Sequence, residues 1–404
     1  MNPVKQLEAL LCETTATARM RQQTAFDEAA HNRRRIVIFG VGRLGRAIQR
    51  RLKGKDLEAV AFTDNNPDTW GKSIGGLPVL SPSEAAQKYA RDTAFVVAVW
   101  HPSSSPLMTV LLDQLRALGC WPVPFPVLFW RYSTIFLPYF FWDLPEHLLQ
   151  QSDAVAAAFE LFNDDASRHV FAAQLQLRLK ADFACLGLPS AGKQYFPGLF
   201  SLSDDECFID CGSYTGNTIQ AFISSTNNCF RKVIAFEADP AVMGGLQTFV
   251  KSLGDRVHLH NAVVGARSGF VRFSGDGTGG GRTSTDSGAA EVSCVRLDDS
   301  VANEHPSFIK MDIEGSELDA LEGARQVIAR DRPVLAVCGY HRPDHLWRIP
   351  RRLKQIAPNS QIFLRSHCAD GLDTVCYAIP SDRQLQVTTT ADACVGHQPK
   401  GSKL

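Results

Sequence analysis

Short apolar runs that end in glycine or polar residues recur along the chain, and stretches with apolar residues at helical spacing separate them. Near the N-terminus these runs are RRRIVIFG, LEAVAFTD and TAFVVAVW. After residue 200 the pattern returns in CFIDCG, KVIAFEAD, RVHLHNAV, SFIKMDIE and RPVLAVCG. Because alternating strands and helices form parallel sheets with right-handed connections, we expect an α/β protein with two parallel sheets.

Two sheets require two cores, and 404 residues are about twice the length of a typical domain. Between the two series, AAAFELF and VFAAQLQLRL predict a helical linker over residues 151–192. The first domain is then 1–150 and the second 193–380. We predict a mobile loop or lid in the glycine- and serine-rich segment 274–288 and a disordered tail over 381–404.

Composition limits the possible partners. Lys plus Arg and Asp plus Glu number 42 each, so no net charge holds the chain on nucleic acid or anionic lipid. Prolines and charged residues interrupt the most apolar segment, 120–149, which predicts no transmembrane segment. The N-terminus is unlike a signal peptide, and the 11 cysteines show no CxxC pairing, so we expect reduced thiols, a cytoplasmic protein and a small-molecule or glycan partner.

The first glycine loop has the spacing of a dinucleotide-binding turn. Gly40, Gly42 and Gly45 follow an apolar strand, and Asp64 lies 19 residues beyond Gly45, near the end of the next strand. Such glycines let the backbone approach a phosphate at the helix start, and the carboxylate accepts ribose hydroxyls. We expect a Rossmann-like domain that binds a nucleotide or nucleotide sugar; the alternative is that these glycines serve only the turn.

The second glycine loop carries an acidic residue at the end of its strand. Asp210 directly precedes Gly212 and Gly216 in FIDCGSYTGNT, and Glu237 ends the next strand. Asp210 would repel a pyrophosphate but attract the ammonium of a methionine moiety, whose carboxylate can bind at the helix start. Glu237 can accept both ribose hydroxyls. This loop therefore predicts S-adenosylmethionine as the cofactor.

Several segments of the second series together resemble the FkbM-type methyltransferases. They are FIDCGSYTGNTI, VIAFEADP, HNAVVG, the LDD at 297–299 and FIKMDIEGSELDALEGA, in which KMDIEGSE is the most specific string. CGYHRPDHLWRIPRRLK, IFLRSH and DTVCYAIP are similar to the end of the same catalytic domain, so the resemblance covers about 194–380. One departure is Ser213 and Tyr214, where family members often have alanine and a varied residue.

This resemblance implies a class I methyltransferase fold for the second of two Rossmann-like domains. It also implies O-methylation of a hydroxyl on a sugar, glycan or related natural product, with a place in polysaccharide biosynthesis. The cofactor-binding residues it implies, beyond Asp210 and Glu237, are Gly212, Ser213, Gly216, Thr218, Asn261 and Ala262.

Methyl transfer to a hydroxyl requires an aligned acceptor oxygen and a base for its proton. Asp312, Glu314 and His341 follow the fourth and fifth strands, at the edge where the cofactor is expected. Because an ordinary histidine titrates near neutral pH, His341 is the predicted general base. Asp312 and Glu314 would orient the acceptor if the strand extends through them. We expect no metal, although these three groups together are a less favoured magnesium site.

Two other functions remain open on the sequence alone. An NAD(P)-dependent oxidoreductase or epimerase of nucleotide sugars would work through Gly40, Gly42 and Gly45, although no Tyr-x-x-x-Lys pair follows that loop. A non-catalytic module would bind a nucleotide sugar through the same loop and recruit a partner.

Overall fold

The structure is a computed structural model that describes residues 2–100, 107–275, 277, 280–283 and 290–385. Most of the predicted lid and of the predicted tail lies outside the described residues. Within the tail, Arg383 is described and forms an ion pair with the buried Glu206, whose Oε1 is 2.5 Å from Nη2. No helix in the described part of the chain is long and apolar enough to cross a membrane.

A six-stranded sheet forms the N-terminal half. Its strands are β1 (Arg35–Phe39), β2 (Glu58–Thr63), β3 (Ser73–Ile74), β4 (Leu77–Leu80), β5 (Thr93–Val97) and β6 (Trp121–Pro124). The order is β3-β4-β2-β1-β5-β6, and only the β3–β4 pair is antiparallel. The central strand β1 is buried from Ile36 to Phe39, as expected for a parallel strand between two layers. The helices are α1 (Pro3–Leu11), α2 (Thr15–Ala29), α3 (Arg43–Leu52), α4 (Pro82–Tyr89), α5 (Met108–Ala117) and a 3-10 turn (Pro67–Thr69).

Helices connect the two sheets. They are α6 (Phe125–Arg131), α7 (Ser133–Phe136), α8 (Pro145–Leu149), α9 (Ser152–Phe159), α10 (Asp165–Lys180) and a 3-10 turn (Phe183–Cys185). Asp164 caps α10 by accepting a hydrogen bond from the Ser167 amide, and its carboxylate pairs with Arg365 at 2.6 Å. This contact ties the predicted linker helix to the second sheet.

A seven-stranded sheet forms the C-terminal half. Its strands are β7 (Cys207–Cys211), β8 (Lys232–Glu237), β9 (Val257–Asn261), β14 (Phe308–Met311), β15 (Val334–Cys338), β16 (Ser360–Ser366) and β17 (Thr374–Pro380). The order is β16-β17-β15-β14-β7-β8-β9, and only β17 runs antiparallel to its neighbours. This is the order of a class I methyltransferase fold, so the predicted α/β class with two Rossmann-like sheets is confirmed.

A small second sheet and six helices complete the described part of this half. The sheet has the order β10-β13-β11-β12 and consists of β10 (Val263–Val264), β11 (Gly269–Ser274), β12 (Arg282–Thr283) and β13 (Ala290–Val295). The helices are α11 (Asn217–Ser225), α12 (Pro240–Ser252), α13 (Leu297–Ser300), α14 (Glu317–Glu322), α15 (Arg325–Asp331) and α16 (His345–Ile356). The ten described cysteines are free thiols.

Aromatic side chains join the two halves. The Trp100 ring, just after β5, contacts Phe125, Tyr139, Phe140, Phe141 and Trp142 at centroid distances of 5.3 to 6.3 Å. The Trp100 indole donates to the Asp370 carbonyl at 2.9 Å, in the turn between β16 and β17. The carboxyl end of β5 therefore lies directly against the C-terminal half.

Candidate active site

The glycine loop after β7 is shaped by two positions that require glycine. Gly212 has φ +82°, and a Cβ atom there would lie 1.9 Å from the Asp312 carbonyl oxygen. Gly216 has φ +90°, and its Cβ would lie 2.5 Å from the Phe249 ring. Helix α11 begins directly after this loop, with Thr218 half-buried in its first turn. The loop therefore brings bare backbone and a helix start to the carboxyl edge of the sheet.

Asp210 forms a buried ion pair. Its Oδ1 lies 2.9 Å from the Lys310 ammonium, and both side chains are at most 1% exposed. Burial opposes the charge of Lys310, but the carboxylates of Asp210 and Asp312 outweigh it and raise the lysine pKa above its usual value. Lys310 also donates to the Gly212 carbonyl at 2.7 Å, which fixes the loop. Asp210 therefore holds the loop through Lys310, and its predicted contact with a cofactor ammonium stays a prediction.

Glu237 ties the same loop to the end of β8. Its Oε2 accepts the Tyr214 amide at 2.7 Å, and its Oε1 accepts the Ala238 and Asp239 amides at 2.8 Å each. A carboxylate offers about four acceptor positions, so about one is left for a ribose hydroxyl. Asn261 and Ala262 lie beside it, because Glu237 and Asn261 are partners in the β8–β9 ladder. Ser213 is buried, with its hydroxyl bonded to the Asp210 carbonyl at 3.0 Å.

Asp312 lies at the centre of a polar cluster at the next strand ends. Its carboxylate accepts hydrogen bonds from the hydroxyls of Tyr195 at 2.7 Å and Tyr340 at 3.2 Å. Burial disfavours its charge, yet Lys310 and His341 outweigh this and lower the Asp312 pKa. Asp312 is therefore an ionised carboxylate at neutral pH, stabilised by protein hydrogen bonds and neighbouring cations.

The expectation that a strand extends through Asp312 and Glu314 is wrong, although the two side chains do approach the same histidine. Strand β14 ends at Met311, and Glu314 has φ +55° in a turn, so no extended segment passes through both residues. The turn nevertheless places both carboxylates near His341, whose Nε2 is 3.3 Å from Asp312 and 3.8 Å from Glu314.

His341 lies between carboxylates on both sides of its ring. Its Nδ1 is 2.7 Å from Glu317 Oε1, and the other Glu317 oxygen is 3.2 Å from His345. Burial opposes the imidazolium charge, but Glu317, Glu314 and Asp312 outweigh it and raise the pKa of His341 to about 10. A histidine with this pKa is protonated at neutral pH. His341 is the predicted base only if its pKa is that of an ordinary histidine. In this structure its pKa is raised, so that reason no longer applies.

Asp373, directly before β17, also lies near this cluster. It has φ +49° directly before β17, which pairs antiparallel with β15 and so returns the chain to the edge where Tyr340 and His341 lie. Burial, reinforced by the Asp312 charge, raises the pKa of Asp373 to about 6. Among the described residues no group of three or more His, Cys, Asp or Glu side chains is arranged to hold a metal ion.

The first glycine loop also has its predicted geometry. Gly40 has φ +112°, and a Cβ on Gly45 would lie 1.9 Å from the Gly40 carbonyl oxygen, so helix α3 packs closely on β1. Gly42 precedes the first residue of α3. The Asp64 carboxylate accepts the Val41 amide at 2.9 Å. Asp64 thus reaches the loop as its spacing predicts, and the ligand of this site stays a prediction.

The comparisons with known proteins agree with this geometry. Residues 210–356 match the Methyltransferase FkbM domain. The crystal structure of a methyltransferase FkbM from Methylobacillus flagellatus KT aligns with a TM-score of 0.75 and 24% identity over 93% of this chain and 100% of that one, which shows that both halves of the fold are shared. No curated protein is similar enough to count as a match.

Two other solved structures overlap only one part of the chain. UDP-D-quinovosamine 4-dehydrogenase from Vibrio fischeri is 22% identical over 23% of this chain and 77% of its own, with a TM-score of 0.21. Aeropyrum pernix fibrillarin, a complex with S-adenosyl-L-methionine, is 14% identical over 46% of this chain and 72% of its own, with a TM-score of 0.29. At these TM-scores neither likeness carries an argument.

Three residues make contacts at this site that the sequence does not predict. Lys310 is the first residue of KMDIEGSE, and a lysine inside a buried strand requires a buried counter-charge, which Asp210 supplies. Glu317 is the first residue of α14, and it also pairs with His341 and His345. Asp373 is the first residue of DTVCYAIP, but no local pattern gives it a role, because it reaches the site only through the antiparallel return of β17.

Proposed function

We propose that the protein is an S-adenosylmethionine-dependent methyltransferase that O-methylates a hydroxyl of a sugar, glycan or related natural product. The main support is the loop from Asp210 to Gly216 with Glu237 beside it, inside the matched FkbM domain. The sequence motifs at the ends of β7 and β8 and the observed glycine loop all lie at the carboxyl edge of the same sheet.

The residues of this loop fit the proposed cofactor. Gly212 and Gly216 leave the backbone bare where side chains would collide with Asp312 and Phe249, and the amides at the start of α11 suit a carboxylate. Glu237 retains acceptor capacity for a ribose hydroxyl. When bound, S-adenosylmethionine supplies an electrophilic methyl group on a sulfonium.

The acceptor side of the site favours a hydroxyl-bearing molecule. Asp312, Glu314 and His341 converge at the carboxyl ends of β14 and β15, beside the cofactor loop. Carboxylates accept hydrogen bonds from hydroxyls, and an imidazolium donates to their oxygens. A sugar offers both kinds of partner on neighbouring carbons. We therefore propose Asp312, Glu314 and His341 as the catalytic residues of this site.

We further propose that the N-terminal domain binds the nucleotide part of an activated sugar through Gly40, Gly42, Gly45 and Asp64. Support comes from the position of this loop. A Cβ on Gly40 would lie 2.8 Å from Val99, and the ring of the next residue, Trp100, makes an edge-to-face contact with Phe140 at 5.6 Å between centroids. The Phe140 ring is in turn 6.5 Å from the His341 ring. Successive side-chain contacts thus connect the first glycine loop to the proposed acceptor side of the C-terminal site.

Isothermal titration calorimetry with S-adenosylmethionine tests the first proposal. We expect saturable binding by the parent, a loss of tenfold or more in Glu237→Ala and Asp210→Ala, and parent-like affinity in the exposed control Asp205→Ala. Because Asp210→Ala also breaks a buried ion pair, circular dichroism of each variant establishes that it is folded. Absence of binding by the folded parent would refute the proposal.

Methyl transfer from labelled S-adenosylmethionine to UDP-hexoses and to the matching free hexoses tests the acceptor proposal. We expect transfer to the UDP-linked sugar to exceed transfer to the free sugar and to fall to the free-sugar level in Asp64→Ala. Equal methylation rates with the UDP-linked sugar and the free sugar would show that the nucleotide does not contribute to binding of the acceptor. NAD⁺ binding lost in Asp64→Ala, without methyl transfer by the parent, would favour the oxidoreductase or epimerase instead.

A further inference from the structure

An open cleft with a volume of about 520 Å³ lies at the carboxyl end of β2, and we call it the β2 cleft. Its walls include side chains from the segment after β2, from the start of α4 and from α5, namely Asn65, Trp70, Ser81, Ser83 and Gln114. Small-molecule sites commonly have volumes of about 300–1,000 Å³. The β2 cleft therefore has the size of a ligand site within the N-terminal half.

The β2 cleft adjoins the residue proposed to bind the ribose. Asn65 directly follows Asp64, and the Trp70 indole Nε1 donates to the Asp64 carbonyl at 2.7 Å. The Asp64 carboxylate accepts the Val41 amide of the first glycine loop at 2.9 Å. In a nucleotide, the phosphate and the base leave opposite sides of the ribose. A phosphate at the glycine loop and a ribose at Asp64 therefore direct the base away from the loop, toward the β2 cleft.

Trp70 supplies a flat apolar surface to the β2 cleft. The residue is 40% exposed, which is costly for so large an apolar side chain unless a ligand covers it. Its only polar group, the indole N–H, is bonded to the Asp64 carbonyl, so the ring itself remains for packing. Nucleobases stack on such aromatic rings. Trp100, at the end of β5, is unsuited to this role because aromatic side chains already pack around its ring.

The β2 cleft also contains a pair of amide side chains. Asn65 Nδ2 donates to Gln114 Oε1 at 3.0 Å, and Gln114 Nε2 donates to Asn65 Oδ1 at 2.8 Å. A carboxamide has two N–H groups and two acceptor positions, so this exchange leaves each amide with one donor and one acceptor. The edge of a nucleobase also presents a donor next to an acceptor. A purely apolar ligand would leave these amide groups unmatched.

We propose that the β2 cleft binds the base of a nucleotide, with Trp70 stacked on its face and the amides of Asn65 and Gln114 bonded to its edge. This inference rests on the proposed nucleotide role of the N-terminal domain and adds the base to it. The first glycine loop then binds the phosphates, Asp64 the ribose and the β2 cleft the base. The N-terminal domain thereby recognises a complete nucleoside diphosphate, and the amides select the base.

Isothermal titration calorimetry of the full chain with UDP, ADP and inorganic diphosphate tests this assignment. The parent should bind at least one of the two nucleotides about tenfold more tightly than it binds inorganic diphosphate. Trp70→Ala should lower that nucleotide affinity about tenfold, because stacking is lost, and should change the affinity for inorganic diphosphate less than twofold. Trp70→Phe should recover most of the affinity. Circular dichroism establishes that each variant is folded.

Indole fluorescence provides a second measurement that a purely structural role of Trp70 would not change. The difference in emission between the parent and Trp70→Phe is the signal of this indole, and a saturating nucleotide should quench it. Emission from Trp70 that does not respond to a bound nucleotide would overturn the stacking.

The amides are tested through base preference. Gln114→Leu should change the ratio of the affinities for UDP and ADP at least threefold, because it removes groups that bond to the base edge. An unchanged ratio would overturn the role of the amides.

The matched control is Trp121→Ala. Trp121 is 36% exposed, similar to Trp70, but it begins β6 at the amino edge of the same sheet. This variant should bind nucleotides as the parent does.

Two results would overturn the proposal while leaving the nucleotide role intact or redirecting the cleft. One is a parent-like nucleotide affinity in Trp70→Ala. The other is saturable binding of a free hexose that is lost in Trp70→Ala, which would assign the β2 cleft to a sugar. Failure of UDP, ADP and inorganic diphosphate to bind the folded parent would instead refute the proposed nucleotide role itself.

Discussion

At the scale of single residues, the C-terminal half contains charges that are buried together. Lys310 is placed between Asp210 and Asp312, and Glu317 between His341 and His345. Each charge is tolerated in the interior because its partner removes most of the desolvation cost. The same pairing sets the protonation states of the site, since it keeps Asp312 ionised and His341 protonated.

Lys310→Met should destabilise the protein by about 3–5 kcal/mol, because it leaves the Asp210 carboxylate buried without a counter-charge. The double variant Asp210→Asn, Lys310→Met should recover a large part of this loss. Urea unfolding followed by circular dichroism measures both free energies of unfolding. If the double variant is as unstable as the sum of the two single variants, the two groups do not interact.

Stability should also fall as pH rises from about 6.5 to about 10. The His341 pKa is raised from 6.5 to about 10 in the folded chain, so its contribution is complete below 6.5 and disappears as pH passes 10. Free energies of unfolding between pH 6 and pH 10 should decline less in His341→Gln than in the parent. Parallel curves for the two proteins would contradict the raised pKa.

At the scale of elements, the candidate site is built where loops leave the carboxyl ends of β7, β8, β14 and β15. The backbone of the β7 loop and that of the β14 turn nearly touch, which explains the requirement for glycine at position 212. Strand β17 contributes from the opposite direction and adds Asp373 to the same edge. The spacing of Gly212, Gly216 and Glu237 was visible in the sequence because consecutive elements form it.

Gly212→Ala should destabilise the protein by about 2 kcal/mol or more and abolish S-adenosylmethionine binding. The residue has φ +82°, and the new Cβ would collide with the Asp312 carbonyl, so the loop or the β14 turn must move. Calorimetry and urea unfolding measure the two effects. The control Gly244→Ala, in α12 with open space around it, should be neutral or stabilising by about 0.5–1 kcal/mol.

At the scale of the whole molecule, the two sheets are joined through Trp100 and the aromatic residues of 125–142. Trp100 follows β5 of the first sheet and donates to Asp370 near the end of the second. The carboxylate of Asp370 also accepts the Met108 amide, at the start of α5. Through these contacts, side chains that pack against one another connect the first glycine loop with the candidate active site.

Trp100→Ala should therefore weaken the junction between the halves and cost about 2 kcal/mol or more, since it removes several ring contacts and one hydrogen bond. We expect calorimetric unfolding to separate into two transitions. Phe270→Ala, whose residue is 74% exposed, should leave the melting profile nearly unchanged. A single unshifted transition in Trp100→Ala would show that other contacts carry the junction.

The sequence alone determined the two parallel sheets, both glycine loops and the strand-end acids, because local hydrophobic periodicity and short spacings encode them. Only the tertiary structure decided that Lys310 neutralises Asp210, that His341 is protonated, and that the return of β17 brings Asp373 to the edge where Tyr340 and His341 lie. The physical reason is that the charge state of a buried group depends on desolvation and on neighbours across the sheet. Residues far apart along the chain supply those neighbours, and no spacing reveals them.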